Sequence, residues 1–153
     1  MIVDSAATRR EFLGLASACV AALTLAPAAT LAAPDQVAAE IRKLVGERQL
    51  REGRIKLDLP SIAENGLVVP LGFEVESPMT ATDYVKAVYL FAEGNPNPMV
   101  AAFHFTPLSP KAAAAIRIRL AQTQTVVAVA ELSTGEVYAV RKEVKVTIGG
   151  CGG

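Results

Sequence analysis

Leu71-Gly72-Phe73-Glu74-Val75-Glu76 sets an apolar residue at every second position, and that period of two decides the fold class. Successive side chains of a strand point to opposite faces. Leu71, Phe73 and Val75 therefore share a buried side, while Glu74 and Glu76 share a wet one. The same alternation returns in Ile116, Ile118 and Leu120 against Arg117 and Arg119, and in Val144, Val146 and Ile148 against Lys145 and Thr147. Apolar runs from Tyr84 to Ala92, Met99 to Thr106, Thr125 to Leu132 and Glu136 to Val140 lie between them. Turn signals separate the runs: Glu64-Asn65-Gly66, Ser77-Pro78, Asn95-Pro96-Asn97-Pro98, Pro107 to Pro110 and Ser133-Thr134-Gly135. About seven short strands with turns between them predict an all-β protein, an immunoglobulin-like antiparallel β-sandwich.

One segment breaks the period. Val37, Ile41, Leu44 and Val45 follow Pro34-Asp35 at helical spacing, with Asp35 as the expected N-cap and Gly46 as the expected stop. The sandwich should thus carry one short N-terminal helix. Two strand runs also depart from clean alternation. Val88 and Leu90 are apolar on the face opposite Val85, Ala87, Tyr89 and Phe91, and Val126 to Ala130 is apolar on both faces. A sheet with one face in water should show a polar side. These runs need cover from the helix or from a second subunit.

Composition narrows the function classes. Fifteen basic residues balance fifteen acidic ones, leaving no basic footprint for nucleic acid and no polybasic patch for a membrane surface. His104 is the single histidine of the chain, and with one cysteine outside the leader no ordinary zinc or copper cluster can be assembled. In Phe103-His104-Phe105 a strand would place His104 on the face opposite both rings, a solvated position; Arg117 and Arg119 read as a solvated face as well. No nucleophile triad and no phosphate-binding loop stands out. The expectation is a protein without catalytic residues, metal or cofactor.

The two ends carry the functional signal. Thr8-Arg9-Arg10-Glu11-Phe12-Leu13 precedes a weakly apolar stretch to about Ala33, the pattern of a twin-arginine export signal. Gly14, Ser17, Thr24, Pro27 and Thr30 dilute that stretch as a bilayer span. Leu15-Ala16-Ser17-Ala18-Cys19 approaches a lipobox, but its leucine lies one place too far upstream. The expected organisation is a cleaved signal over 1–33, a domain over 34–148 and an arm over 149–153, with the mature protein soluble in the periplasm. Cleavage removes Cys19 and leaves Cys151 alone, so no intramolecular disulfide can form.

Cys151 lies between Gly149-Gly150 and Gly152-Gly153, directly after a strand-like run. Four glycines offer no side chain to pack and a wide choice of backbone conformation. The expected result is a thin, flexible arm presenting a thiol, with a reach of about 10 Å from Ile148 to Cys151 at about 3.3–3.6 Å per residue. A free thiol ionises near 8.5. The arm supplies no lysine, arginine or histidine to lower that value, so activation must come from the site the thiol visits.

The terminal sequence Val144-Lys145-Val146-Thr147-Ile148-Gly149-Gly150-Cys151-Gly152-Gly153 resembles that of the SoxY family, the sulfur carrier of the SoxYZ complex in bacterial thiosulfate oxidation. Glu64-Asn65-Gly66, Val75-Glu76-Ser77-Pro78-Met79, Ala92-Glu93-Gly94-Asn95-Pro96 and Thr123-Gln124 extend the resemblance through the domain, and the twin-arginine leader fits it. The resemblance implies that Cys151 is the covalent attachment point for sulfur intermediates and that a SoxZ-like companion subunit binds as a heterodimer. It further implies a c-type cytochrome that joins thiosulfate to the thiol, a hydrolase that releases sulfate, and a sulfur dehydrogenase that oxidises the remaining sulfane sulfur. The carrier would be their substrate and not an enzyme. Two other readings compete. Cys151 could only crosslink two structural chains, or Gly153 could carry a thiocarboxylate as in small ubiquitin-like carriers, against which the leader and the longer β-rich chain weigh.

Overall fold

The computed structural model describes residues 34–149; the expected leader over 1–33 and the end of the expected arm over 150–153, Cys151 included, lie outside them. Helix α1 (Pro34–Val45) is followed by nine strands: β1 (Leu50–Arg51), β2 (Ile55–Asp58), β3 (Ile62–Asn65), β4 (Val69–Val75), β5 (Val85–Ala92), β6 (Met99–His104), β7 (Ala112–Ile118), β8 (Gln124–Leu132) and β9 (Val137–Ile148). The larger sheet runs β1-β9-β8-β5-β6, with β3 also pairing β9, and the smaller runs β2-β4-β7. Between them lies the main core, in which Leu71, Phe73 and Val75 of β4 meet Val88, Leu90, Val126 and Ala128. Phe73 stands edge-on to Phe103 and Phe105, with ring centroids 5.1 and 6.4 Å away. The β-sandwich expected from the period of two is the observed fold.

The helix settles the question of cover. Val37, Ile41 and Val45 form one apolar stripe and are buried against Ala87, Tyr89, Phe91, Val127, Val129 and Val137. The odd-numbered positions from 87 to 91 and from 127 to 129 thus face α1, while Val88, Leu90, Val126, Ala128 and Ala130 face the second sheet. Both apolar faces of β5 and β8 are covered within the chain, and neither demands a partner. Gly46 ends the helix in the left-handed region (φ 72°), its N–H donating to the Arg42 carbonyl at 2.8 Å. Asp35 lies inside the first turn and not at the cap. Its carboxylate still favours the positive end of the helix.

Past the helix, Arg48 donates to Glu131 at 3.0 Å, and Lys86 donates to the same carboxylate oxygen at 3.0 Å. Burial pushes the Glu131 carboxyl up, but the hydrogen bonds from Lys86 and Arg48 outweigh it and hold the group below the usual glutamate range.

Three features depart from the sequence reading. Glu136–Val140 and Val144–Ile148 are the two ends of one strand of 12 residues, not two strands. Lys142 bridges them on the inward-facing side of β9, its Nζ donating to the Leu59 carbonyl at 2.6 Å. Two short strands, β1 and β3, were not expected, and both pair with β9 in parallel; the remaining strand pairs are antiparallel. Among the described residues no helix is long and apolar enough to cross a membrane.

Candidate functional site

Strand β9 carries the chain to the expected arm, and its last residues are fixed from several sides. On one edge β3 runs parallel to it, with Ile62, Ala63 and Asn65 opposite Lys145, Val146 and Ile148. The Gly66 N–H donates to the Ile148 carbonyl at 2.8 Å, and the Gly66 carbonyl accepts from the Leu120 N–H at 2.8 Å. Opposite, the Val146 N–H donates to the Thr123 hydroxyl at 2.9 Å. Ile148 is therefore the last strand residue and also a hydrogen-bonded one, although its side chain is exposed.

A buried pair of amides lies behind this point. Asn95 and Gln124 are only 6% and 7% exposed. The Asn95 carbonyl oxygen accepts from the Gln124 side-chain amide at 2.9 Å and from the Ala121 N–H at 3.0 Å. Its own amide donates to the Arg119 carbonyl at 2.8 Å. Gln124 accepts from the Gly94 N–H at 2.6 Å and donates to the Gln122 carbonyl at 3.1 Å. A Cβ at Gly94 would lie 3.0 Å from the Gln124 Cβ, so the turn at 94 approaches the pair as closely as a glycine allows. The segment 119–123, which connects β7 to β8, is thus held by the Asn95 side chain from the β5–β6 turn.

Gly149 leaves β9 against that segment. A Cβ on Gly149 would overlap the Ala121 carbonyl oxygen. Among the expected arm glycines, Gly149 lies inside the described residues; Gly150, Gly152, Gly153 and Cys151 lie outside them.

Elsewhere the described residues offer no catalytic constellation. No group of three His, Cys, Asp or Glu side chains among them could hold a metal ion. His104 is exposed, on the face opposite Phe103 and Phe105 as expected, and its ring stands edge-on to Tyr89 at 6.2 Å. Arg117 and Arg119 are exposed as well. The outer face of the small sheet carries a shallow groove of about 410 Å³, where Gly72, Ala113 and Ala115 leave the sheet bare between Lys56, Glu74 and Lys111. No histidine or cysteine lines it. The sequence reading singled out Asn95, Gln124 and Thr123 only as family-like segments and did not see that Asn95 binds Gln124 and Ala121 or that Thr123 binds Val146.

Comparison with known proteins gives one family. The model of the sulfur oxidation protein SoxY matches residues 41–151. The solved sulfur carrier protein SoxY from Chlorobium limicola f thiosulfatophilum is 31% identical, with a TM-score of 0.64 over 74% of this chain and 98% of that one. A superoxide reductase (neelaredoxin) from Ignicoccus hospitalis is 20% identical, with a TM-score of 0.54 over 76% of this chain and 94% of its own; at that identity the likeness is one of fold. No curated protein sequence matches.

Proposed function

The chain belongs to the SoxY family of sulfur oxidation proteins, and from that premise we propose that it is a periplasmic carrier whose Cys151 holds sulfur intermediates as covalent adducts. The observation that carries the reading is the end of β9. The strand is bonded up to Ile148, and the family match continues past it to residue 151, the position of the single cysteine outside the leader. A thiol three residues beyond a fixed strand end starts from a defined place and reaches about 10 Å from it. That suits entry into a narrow site on another protein.

The proposed chemistry divides between chain and partners. Thiolate and thiosulfate join through a new S–S bond, and the electron pair released passes to a c-type cytochrome partner. Water then cleaves the outer S–S bond, giving sulfate and a persulfide on Cys151; the hydrolase partner supplies that step. A sulfur dehydrogenase partner oxidises the remaining sulfane sulfur. The carrier supplies attachment and reach, and enters each step as substrate. Export by the twin-arginine route and pairing with a SoxZ-like companion belong to the same proposal. Since α1 covers the outer face of β5 and β8, that companion binds elsewhere.

Intact mass of the protein from cells grown on thiosulfate tests this. Sulfur-containing mass is expected on Cys151 and absent from Cys151→Ser, which should fold normally because the buried residues of both core clusters lie within 37–144. Adducts surviving in Cys151→Ser, plain disulfide dimer alone, or added mass on Gly153 would each defeat the reading.

A further inference from the structure

The convergence of four separated segments on the end of β9 asks for a reason. A buried pair of amides is a poor source of net stability, because each polar group must first be stripped of water. What a satisfied network supplies is a single geometry. Here the group whose geometry it fixes is the backbone of Ala121: its N–H is bound by Asn95, and the preceding Leu120 N–H is bound by the Gly66 carbonyl. Gly66 also holds Ile148, so one short chain of hydrogen bonds links strand end, turn and shelf.

We infer that Asn95, Gln124 and the Ala121 carbonyl form a seat for the root of the arm, and that they act as positioning residues for Cys151. The inference rests on the carrier reading for its purpose, but the seat itself is a matter of geometry. Gly149 belongs to the seat and not to the arm. Its φ is not in the left-handed region, so no backbone conformation demands glycine. Space does: a Cβ would overlap the Ala121 oxygen, and the backbone leading to that oxygen is held through the N–H groups of Leu120 and Ala121. The effective arm is then shorter than the run of glycines suggests. Two residues separate that root from Cys151, a span of at most about 7 Å. A short arm from a fixed root confines the thiol to a small volume before docking, which lowers the entropy lost when it enters a partner's site.

Gly149→Ala tests the seat, with Gly150→Ala as its comparison. In Gly149→Ala the added methyl should push the root off Ala121 and loosen the Gly66 bond to Ile148. Exchange of the Gly66 amide, followed by NMR, should quicken about three- to tenfold, the loss of one hydrogen bond. Gly150→Ala should leave that amide as it is. The thermal midpoint and the alkylation rate of Cys151 with iodoacetamide should hold, while the loaded fraction of Cys151 in thiosulfate-grown cells falls about tenfold or more. Asn95→Ala, which frees Ala121 from the other side, should repeat the exchange and loading results with a lower thermal midpoint, because it leaves buried partners unpaired; should that chain not fold, Gly149→Ala still decides. Unchanged Gly66 exchange in Gly149→Ala overturns the seat. Faster exchange with wild-type loading overturns its positioning role. A wild-type chain that never carries sulfur defeats the carrier reading and, with it, the purpose of the seat, while the exchange result still decides the geometry.

Discussion

Ile41→Ala tests whether α1 is the cover of the large sheet. Ile41 is 3% exposed and sits centrally in the stripe that meets Tyr89, Phe91 and Val129. Shortening it to alanine removes about three methylene equivalents from a dry interface, worth about 2.4 kcal/mol at roughly 0.8 kcal/mol each. A cavity term adds about 1 kcal/mol. Alanine's better helix propensity returns about 0.4 kcal/mol. The net loss is about 3 kcal/mol. With a urea slope of about 1.5–2 kcal/mol per molar for a domain of this size, the midpoint should fall by about 1.5–2 M. Leu44, three positions on, is 37% exposed and lies outside the buried stripe. Leu44→Ala should cost about 1 kcal/mol or less. Urea unfolding followed by far-ultraviolet circular dichroism measures both. Equal shifts, or a loss below about 1 kcal/mol for Ile41→Ala, would refute a docked helix and return the cover of β5 and β8 to a second subunit.

Two further outcomes follow from the core and the ion pairs. Phe73→Ala removes the ring shared by Phe103 and Phe105 and should cost about 3–5 kcal/mol in the same unfolding assay, with β4 central to the small sheet. Glu131→Gln should destabilise the domain at neutral pH by about 1–2 kcal/mol, because Arg48 and Lys86 lose their shared anion. The folded carboxyl is held below its ordinary value, so its contribution is complete above the unfolded pKa of about 4.3 and is lost as pH falls through the folded value. The stability difference between wild type and Glu131→Gln should be flat above about pH 5.5 and shrink below it; a difference that grows on acidification would contradict the pairing.

Much of this architecture is written in local spacing. Leu71, Phe73 and Val75 announce an inward face because strand geometry alone puts them there, and Val37, Ile41 and Val45 announce a helix for the same kind of reason. Lys142 shows where local spacing stops. A charged residue in an inward register reads as a break, yet its ammonium finds the Leu59 carbonyl, which lies 83 positions away in sequence. Strands β1 and β3 escaped notice because two to four residues carry little periodicity, and parallel pairing has no hairpin turn to signal it. A cysteine among glycines stands out in the sequence without context, and Cys151 lies outside the described residues. The bonded network beside Gly149 gives no such signal. Asn95 and Gln124 are 29 positions apart, and nothing in either amide says which backbone it will bind.

The strand that leads to the arm is gripped along its whole length. β9 lies antiparallel to β8 from Val137 to Val144, with β1 along its beginning and β3 along its end on the other edge. A pull on the last residues acts along the axis of β9, so it loads these bonds in shear and all at once, instead of opening them one after another as at a frayed edge. A load that reaches Ile148 from the residues beyond it is spread over the neighbours of β9 and into the sandwich. Resistance of that kind depends on the rate of unfolding under load and not on equilibrium stability. On the proposed carrier reading, the domain serves as a mechanical anchor for what the end of the chain holds.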